Sequence, residues 1–162
     1  GASAGVPACR RPFPTRRAFV RGIALFIAFA ERSGIPSRLL YFDLDDFKAV
    51  TDAHGHSAGD AVLRHFADLL ASQIRDSDVL ARIGGDEFAV ILAHVTLDQA
   101  TKKGATLSQL LREKPPVWNG QPVNLNFSCG AYELHAGVSP DGAIANADRA
   151  MYAQKRSAAK KA

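Results

Sequence analysis

Leu39, Leu40, Tyr41 and Phe42 form an unbroken apolar run inside the stretch Arg38 to Leu44. In an extended strand these side chains point alternately to both faces, so the strand must be covered above and below. Amphipathic helices are available to do so. Thr15 can cap a helix running to about Ser33, with Phe19, Ile23, Phe26, Ile27 and Ala30 on one face, and Gly34 and Pro36 end it. A short helical stretch from Asp46 stops at Gly55, and Ser57 or Gly59 opens a stronger helix through Val62, Leu63, Phe66, Leu69, Leu70 and Ile74. Thr96 to Arg112 and a last helix from Asp141 show the same spacing. Val79 to Ile83 and Phe88 to Leu92 read as a hairpin across Gly84-Gly85-Asp86-Glu87. Val123, Leu125, Phe127, Cys129 and Ala131 alternate with polar residues as a half-exposed strand. The order predicts an α/β (α+β) sandwich built on one mixed sheet flanked by helices.

At 162 residues the chain is one domain in length, and 47% apolar content is too high for a disordered chain. The longest apolar run, Gly22 to Ala30, is nine residues, far short of the ~20 that span a bilayer. Two cysteines, Cys9 and Cys129, make neither a disulfide framework nor a thiolate zinc site, so a reducing, cytoplasmic setting is expected. Residues 1–14 read as a linker or tail and 158–162 as a basic C-terminal tail, with one domain between them at 15–157. Charge is segregated: seven Arg and one Glu in residues 1–38, eleven acidic against four basic groups in 39–100, and nine basic against four acidic groups in 101–162. A nucleic-acid-coating protein would want one basic face, so no nucleic-acid partner is expected.

The acidic middle holds two clusters, Asp43-Leu44-Asp45-Asp46 at the end of the apolar strand and Asp86-Glu87 at the hairpin tip. If the two strands are neighbours, Asp43 and Glu87 converge, and like charges at short range call for a cation between them. Carboxylate oxygens without suitably spaced Cys or His suit Mg²⁺ or Mn²⁺ better than zinc. An EF-hand loop starting at Asp43 is excluded, because Lys48 stands where glycine must turn the chain and His54 where a bidentate Glu is required. No Walker loop and no His-Glu-x-x-His helix is present.

The segments Tyr41-Phe42-Asp43-Leu44-Asp45-Asp46-Phe47-Lys48, Gly55-His56, Gly59-Asp60, Arg82-Ile83-Gly84-Gly85-Asp86-Glu87-Phe88 and Ala147-Asp148-Arg149-Ala150-Met151-Tyr152 together resemble the GGDEF domain of diguanylate cyclases. The resemblance covers about residues 13–157. It implies a nucleotidyl-cyclase-like fold with a central mixed five-stranded sheet, and a reaction that condenses two GTP into cyclic di-GMP and two pyrophosphates. By the same resemblance, Asp43, the Leu44 carbonyl, Asp86 and Glu87 hold two Mg²⁺ or Mn²⁺ ions per site, with Asp86 as general base. Backbone amides of Asp46, Phe47 and Lys48 cradle phosphate, and Lys48 and Lys155 neutralise it. Asp60 reads guanine, helped by His56 and by Thr51 where the family usually has Asn. Gly84 and Gly85 leave room for the nucleotide. Arg75 and Asp78 match a product-inhibition site. The resemblance further implies a homodimer for catalysis and a regulatory or sensor domain in the same parent chain.

Three departures stand against it. Thr51 replaces a carboxamide; Pro12 and Thr15 stand in an altered N-terminal motif; and Ala158-Ala159-Lys160 replace Gly-Arg-Asn, removing an arginine. They leave open the alternative of a weak or inactive module that binds GTP or cyclic di-GMP and signals to attached domains.

Overall fold

The computed structural model describes residues 13–161. Cys9, Pro12 and all but the end of the expected 1–14 tail lie outside them. Thr15 caps α1 (Arg16–Ser33) as predicted, its hydroxyl accepting from the Ala18 N–H, and Gly34 ends the helix with φ of 74°, a left-handed conformation that costs glycine no Cβ clash. The chain continues through β1 (Ser37–Asp45), α2 (Phe47–His54), α3 (His56–Ser72), β2 (Val79–Arg82), β3 (Glu87–Leu92), α4 (Leu97–Glu113), β4 (Val117–Trp118), β5 (Gln121–Pro122), β6 (Asn126–Leu134) and α5 (Pro140–Lys161). A capping box opens α4: Gln99 N–H donates to Thr96 Oγ1 and Thr96 N–H to Gln99 Oε1.

The helix-flanked α+β sandwich is present, but the expected mixed five-stranded sheet is corrected. Among the described residues the main sheet has four strands in the order β2-β3-β1-β6, and β4 and β5 pair only with each other. Every neighbouring pair is antiparallel. β3 lies between β1 and β2, so no parallel pair forms. Val123 and Leu125 are buried as their alternation suggested. The Val123 N–H, however, donates to the Pro116 carbonyl, which extends the β4–β5 pairing by one step. The ladder to β1 therefore starts at Asn126. A second difference is at the C-terminus, where α5 runs through Ala158-Ala159-Lys160, all good helix formers, in place of a frayed tail.

The apolar run of β1 splits as two-sided burial requires. Leu40, Phe42 and Leu44 pack with α3 and α4 through Val62, Phe66, Leu70, Leu107 and Leu111. Leu39 and Tyr41 pack with α1 and α5 through Phe19, Ile23, Ile27, Ile144 and Met151. Phe42, Phe88 and Phe127, from three adjacent strands, surround Phe66 with ring centroids 5.3–6.1 Å away. These strand residues are next in sequence to Asp43, Glu87 and Ser128, so an aromatic cluster underlies one end of the sheet. No helix among the described residues is long and apolar enough to cross a membrane.

Candidate active site

The pairing of β1 with β3 sets Asp43 directly opposite Glu87, and the Leu44 N–H donates to the Asp86 carbonyl at 3.2 Å. Two acidic clusters more than forty residues apart in sequence thus meet at one end of the sheet. From the other side of β1, Ser128 lies opposite Asp43 and donates its hydroxyl to Asp45 Oδ1 at 2.8 Å. α5 then delivers Lys155, whose Nζ donates to Asp43 Oδ2 at 2.8 Å.

The electrostatics follow from this crowding. Burial and the neighbouring Asp43 charge push the Asp86 carboxyl above its ordinary range. Burial would pull the Lys155 ammonium down, but the bond to Asp43 and the charges of Asp43, Asp45 and Asp86 outweigh it and hold it above its usual value. Asp43 Oδ1 is buried and has no hydrogen-bond partner among the described residues. A buried carboxylate oxygen without a donor is costly, and a divalent cation is the partner a carboxylate cluster fits. As the side chains stand, no three His, Cys, Asp or Glu groups among the described residues converge tightly enough to form a metal cage. Lys155 neutralises part of the charge in that arrangement. The donor set has the chemistry a hard cation takes, and Asp43 Oδ1 is the oxygen it leaves without a partner among the described residues.

Asp46, following β1, adopts φ of 56°, in the left-handed region, and starts α2 without a side-chain cap. The first intrahelical bond runs from Val50 N–H to the Asp46 carbonyl. The Phe47 and Lys48 amides therefore stand at an uncapped helix start beside the carboxylates, a place suited to an anion. The Lys48 side chain is exposed. Gly84 and Gly85 have no positive φ, and a Cβ on Gly85 would meet nothing within 4 Å. Among the described residues nothing requires glycine at Gly85. Arg82 braces this turn, its guanidinium donating to the Gly84 and Gly85 carbonyls at 2.7–3.2 Å.

The remaining expected residues are elsewhere. Thr51 donates its hydroxyl to the Lys48 carbonyl at 2.9 Å, and its methyl would lie 2.6 Å from a Cβ at Gly59, so Gly59 lets α2 and α3 approach. His56 and Asp60 are exposed one turn apart on α3. Asp60 lines a cavity of about 670 Å³ whose wall includes Leu63, Leu80, Arg82 and Phe88. Arg75 and Asp78 sit at the opposite end of the β2–β3 hairpin, joined by a 3.2 Å ion pair. Two contacting residues escaped sequence reading. Tyr41 donates to Glu87 Oε2 at 2.7 Å, hidden because burial alone explains a tyrosine in an apolar run. Ser128 is 1% exposed, hidden because the alternation of a half-exposed strand assigns it to the open face.

Residues 12–161 match the family model described as diguanylate cyclase, GGDEF domain. The chain is 33% identical over 141 residues to the probable diguanylate cyclase DgcE of Escherichia coli, covering 86% of this chain and 13% of that protein. It therefore spans a small part of that curated relative's length. Among solved structures it is similar to the GGDEF domain of PA1120 from Pseudomonas aeruginosa, with TM-score 0.84, 32% identity, and 90% and 86% of the two chains covered. It is also similar to the GGDEF domain of DgcB from Caulobacter crescentus, solved in complex with c-di-GMP, with TM-score 0.83, 27% identity, and 90% and 86% covered.

Proposed function

The chain belongs to the diguanylate cyclase GGDEF-domain family, and from that membership we propose that it condenses two GTP into cyclic di-GMP, one GTP being held by each of two facing copies. The observation that carries this reading is the meeting of Asp43, Asp86 and Glu87 at one sheet end, with Lys155 on Asp43 and an uncapped helix start alongside. Asp43, the Leu44 carbonyl, Asp86 and Glu87 would hold two Mg²⁺ or Mn²⁺ ions. When bound, such ions acidify the attacking 3′-hydroxyl and offset charge on the departing pyrophosphate.

The chain's own groups do the rest. Asp86, its carboxyl raised in pKa, accepts the 3′-hydroxyl proton on a carboxylate oxygen as that hydroxyl's oxygen bonds to the α-phosphorus of the facing GTP and the bond to pyrophosphate breaks. The Asp46, Phe47 and Lys48 amides orient phosphate oxygens, and Lys48 and Lys155 supply positive charge to them. Asp60, with His56 and Thr51 nearby on α2 and α3, accepts from the guanine N1–H and amino group. Gly84 and Gly85 leave the turn open to the nucleotide. Arg75 and Asp78 form a separate site for the product. GTP and cyclic di-GMP are thus the small-molecule partners. A second copy, a sensor or regulatory domain in the parent chain and a cytoplasmic setting, with residues 15–157 as the catalytic unit, complete the reading.

A receptor role is the second reading. It is favoured by Thr51, whose hydroxyl proton is already donated to Lys48, and by the absence of an arginine at 158–160. One experiment separates the two. The domain, dimerised by fusion to a coiled coil, is incubated with GTP and Mg²⁺ or Mn²⁺ and its products are separated by chromatography. Cyclic di-GMP is expected, and Asp86→Ala should lower its formation by about 10²–10⁴-fold. Nucleotide binding without any cyclic di-GMP would leave the receptor reading standing.

A further inference from the structure

β1 sends Leu39, Tyr41 and Asp43 toward the same side of the sheet. Tyr41 differs from an ordinary packing residue by one atom. The residue is 4% exposed and packs in the apolar layer with Ala89, Ile144 and Met151, while its hydroxyl reaches Glu87 Oε2 at 2.7 Å. The register explains the reach. Asp43 faces Glu87 and Tyr41 faces Ala89, so Tyr41 and Glu87 meet on the diagonal, a gap that a long aromatic side chain spans. Phenylalanine would fill the same volume, so packing does not require the hydroxyl. The hydroxyl is an uncharged donor. Unlike Lys155, it brings no positive charge that would rival a divalent cation.

Resting on the reading of Asp43, Asp86 and Glu87 as the cation-binding set, we propose that Tyr41 is a positioning residue that fixes the Glu87 carboxylate by engaging Oε2 and leaves Oε1 to the divalent cation. Glu87 begins β3 at the hairpin tip, and its long side chain has several rotamers to lose on binding an ion. A hydrogen bond from a rigid central strand removes part of that loss in advance. Partners of this kind, one layer behind a metal ligand, typically change metal affinity by about 10–100-fold when removed.

The test is Mn²⁺ binding to the nucleotide-free domain, read by calorimetry, alongside GTP turnover as a function of Mn²⁺. It compares the unaltered protein, Tyr41→Phe and Tyr41→Met, the last filling the apolar site with a different shape should Tyr41→Phe fail to fold. In the folded variants the Mn²⁺ dissociation constant is expected to rise about 10-fold, with a parallel rise in the Mn²⁺ needed for half-maximal turnover. Turnover at saturating Mn²⁺ should then return to within about a factor of two, because the lost interaction acts on ion binding and not on the chemical step. Unchanged Mn²⁺ affinity in a folded variant overturns the proposal. So does a fall in saturated turnover with no shift in Mn²⁺ requirement, which would place the effect of Tyr41 outside ion binding. Failure of the unaltered protein to bind Mn²⁺ would overturn the reading of the carboxylates themselves, an outcome distinct from either.

Discussion

Asp86 sits at the hairpin tip, where burial and the Asp43 charge raise its carboxyl pKa. A carboxyl whose pKa is raised by folding binds its proton more tightly in the folded state than in the unfolded one. Stability therefore falls as pH climbs from the ordinary carboxylate range through the raised folded value, and stays lower above it. In the metal-free protein Asp86 therefore favours the fold less near neutrality than in acid. Asp86→Asn keeps the shape and removes the charge, so its melting temperature at pH 7 without metal should exceed that of the unaltered protein. The gain should be roughly 2–4 °C for each kcal/mol of strain relieved. The advantage should shrink in acid, where the unaltered Asp86 takes up its proton. Melting curves at both pH values read this directly, and an unchanged or lower melting temperature at pH 7 would contradict it. At this scale the acidic groups were legible because packing gives a chain no reason to gather carboxylates at strand ends. Tyr41 and Arg82 were not, because one looks like core and the other like an ordinary surface charge until its partner is seen.

Among elements, α5 has the most exact placement, and β6 sets it. Gly130 has no room for a side chain: a Cβ there would overlap the Met151 nitrogen and the Ala147 carbonyl oxygen of α5. The Cys129 N–H, on the same strand, donates to the Gln154 side-chain oxygen. The helix is thus clamped to the strand over the two turns before Lys155, which it carries to Asp43. Gly130→Ala must push this rigid backbone outward, and overpacking of this kind costs about 1–3 kcal/mol, occasionally more. Beyond the fall in melting temperature, the variant should bind GTP more weakly at temperatures where it remains folded, because Lys155 moves with the helix. GTP affinity by calorimetry checks this, and an unchanged affinity would show that Lys155 reaches the phosphates independently of helix position. The elements themselves were largely readable from local signals: the apolar run of β1, the Thr15 cap, and the helical spacing from Thr96 to Arg112. The strand count was not, because the partner of Val123 is the Pro116 carbonyl beside the β4–β5 pair, and alternation reports burial without naming the hydrogen-bond partner.

At the scale of the whole molecule, the hairpin β2–β3 has different chemistry at its two ends. Glu87 faces Asp43 at one, while Asp78 holds the other, about 16–17 Å away by strand rise. The Asp78 side chain is 2% exposed and accepts from the Arg75 N–H at 2.8 Å and the Ala93 N–H at 2.9 Å. The Arg75 side chain is 60% exposed; it donates to Asp78 and to the Ala93 carbonyl, and its Nη1 takes part in none of these bonds. The fold therefore needs Asp78 and loses little with the guanidinium. Asp78→Ala leaves two amides without their acceptor, at about 1–3 kcal/mol each, whereas Arg75→Ala removes a guanidinium that is itself 60% exposed and leaves the buried Asp78 carboxylate both amide donors, so it costs the fold less. This difference makes Arg75→Ala a clean probe of product binding: its melting temperature should stay close to that of the unaltered protein, and inhibition by cyclic di-GMP should weaken at least 10-fold if the guanidinium holds the product by charge-assisted bonds. Product seated at that end cannot touch Asp43, so inhibition of the unaltered protein should persist when GTP is raised. Inhibition that survives Arg75→Ala and yields to excess GTP would instead place the product on the Asp43 side, in direct competition with substrate.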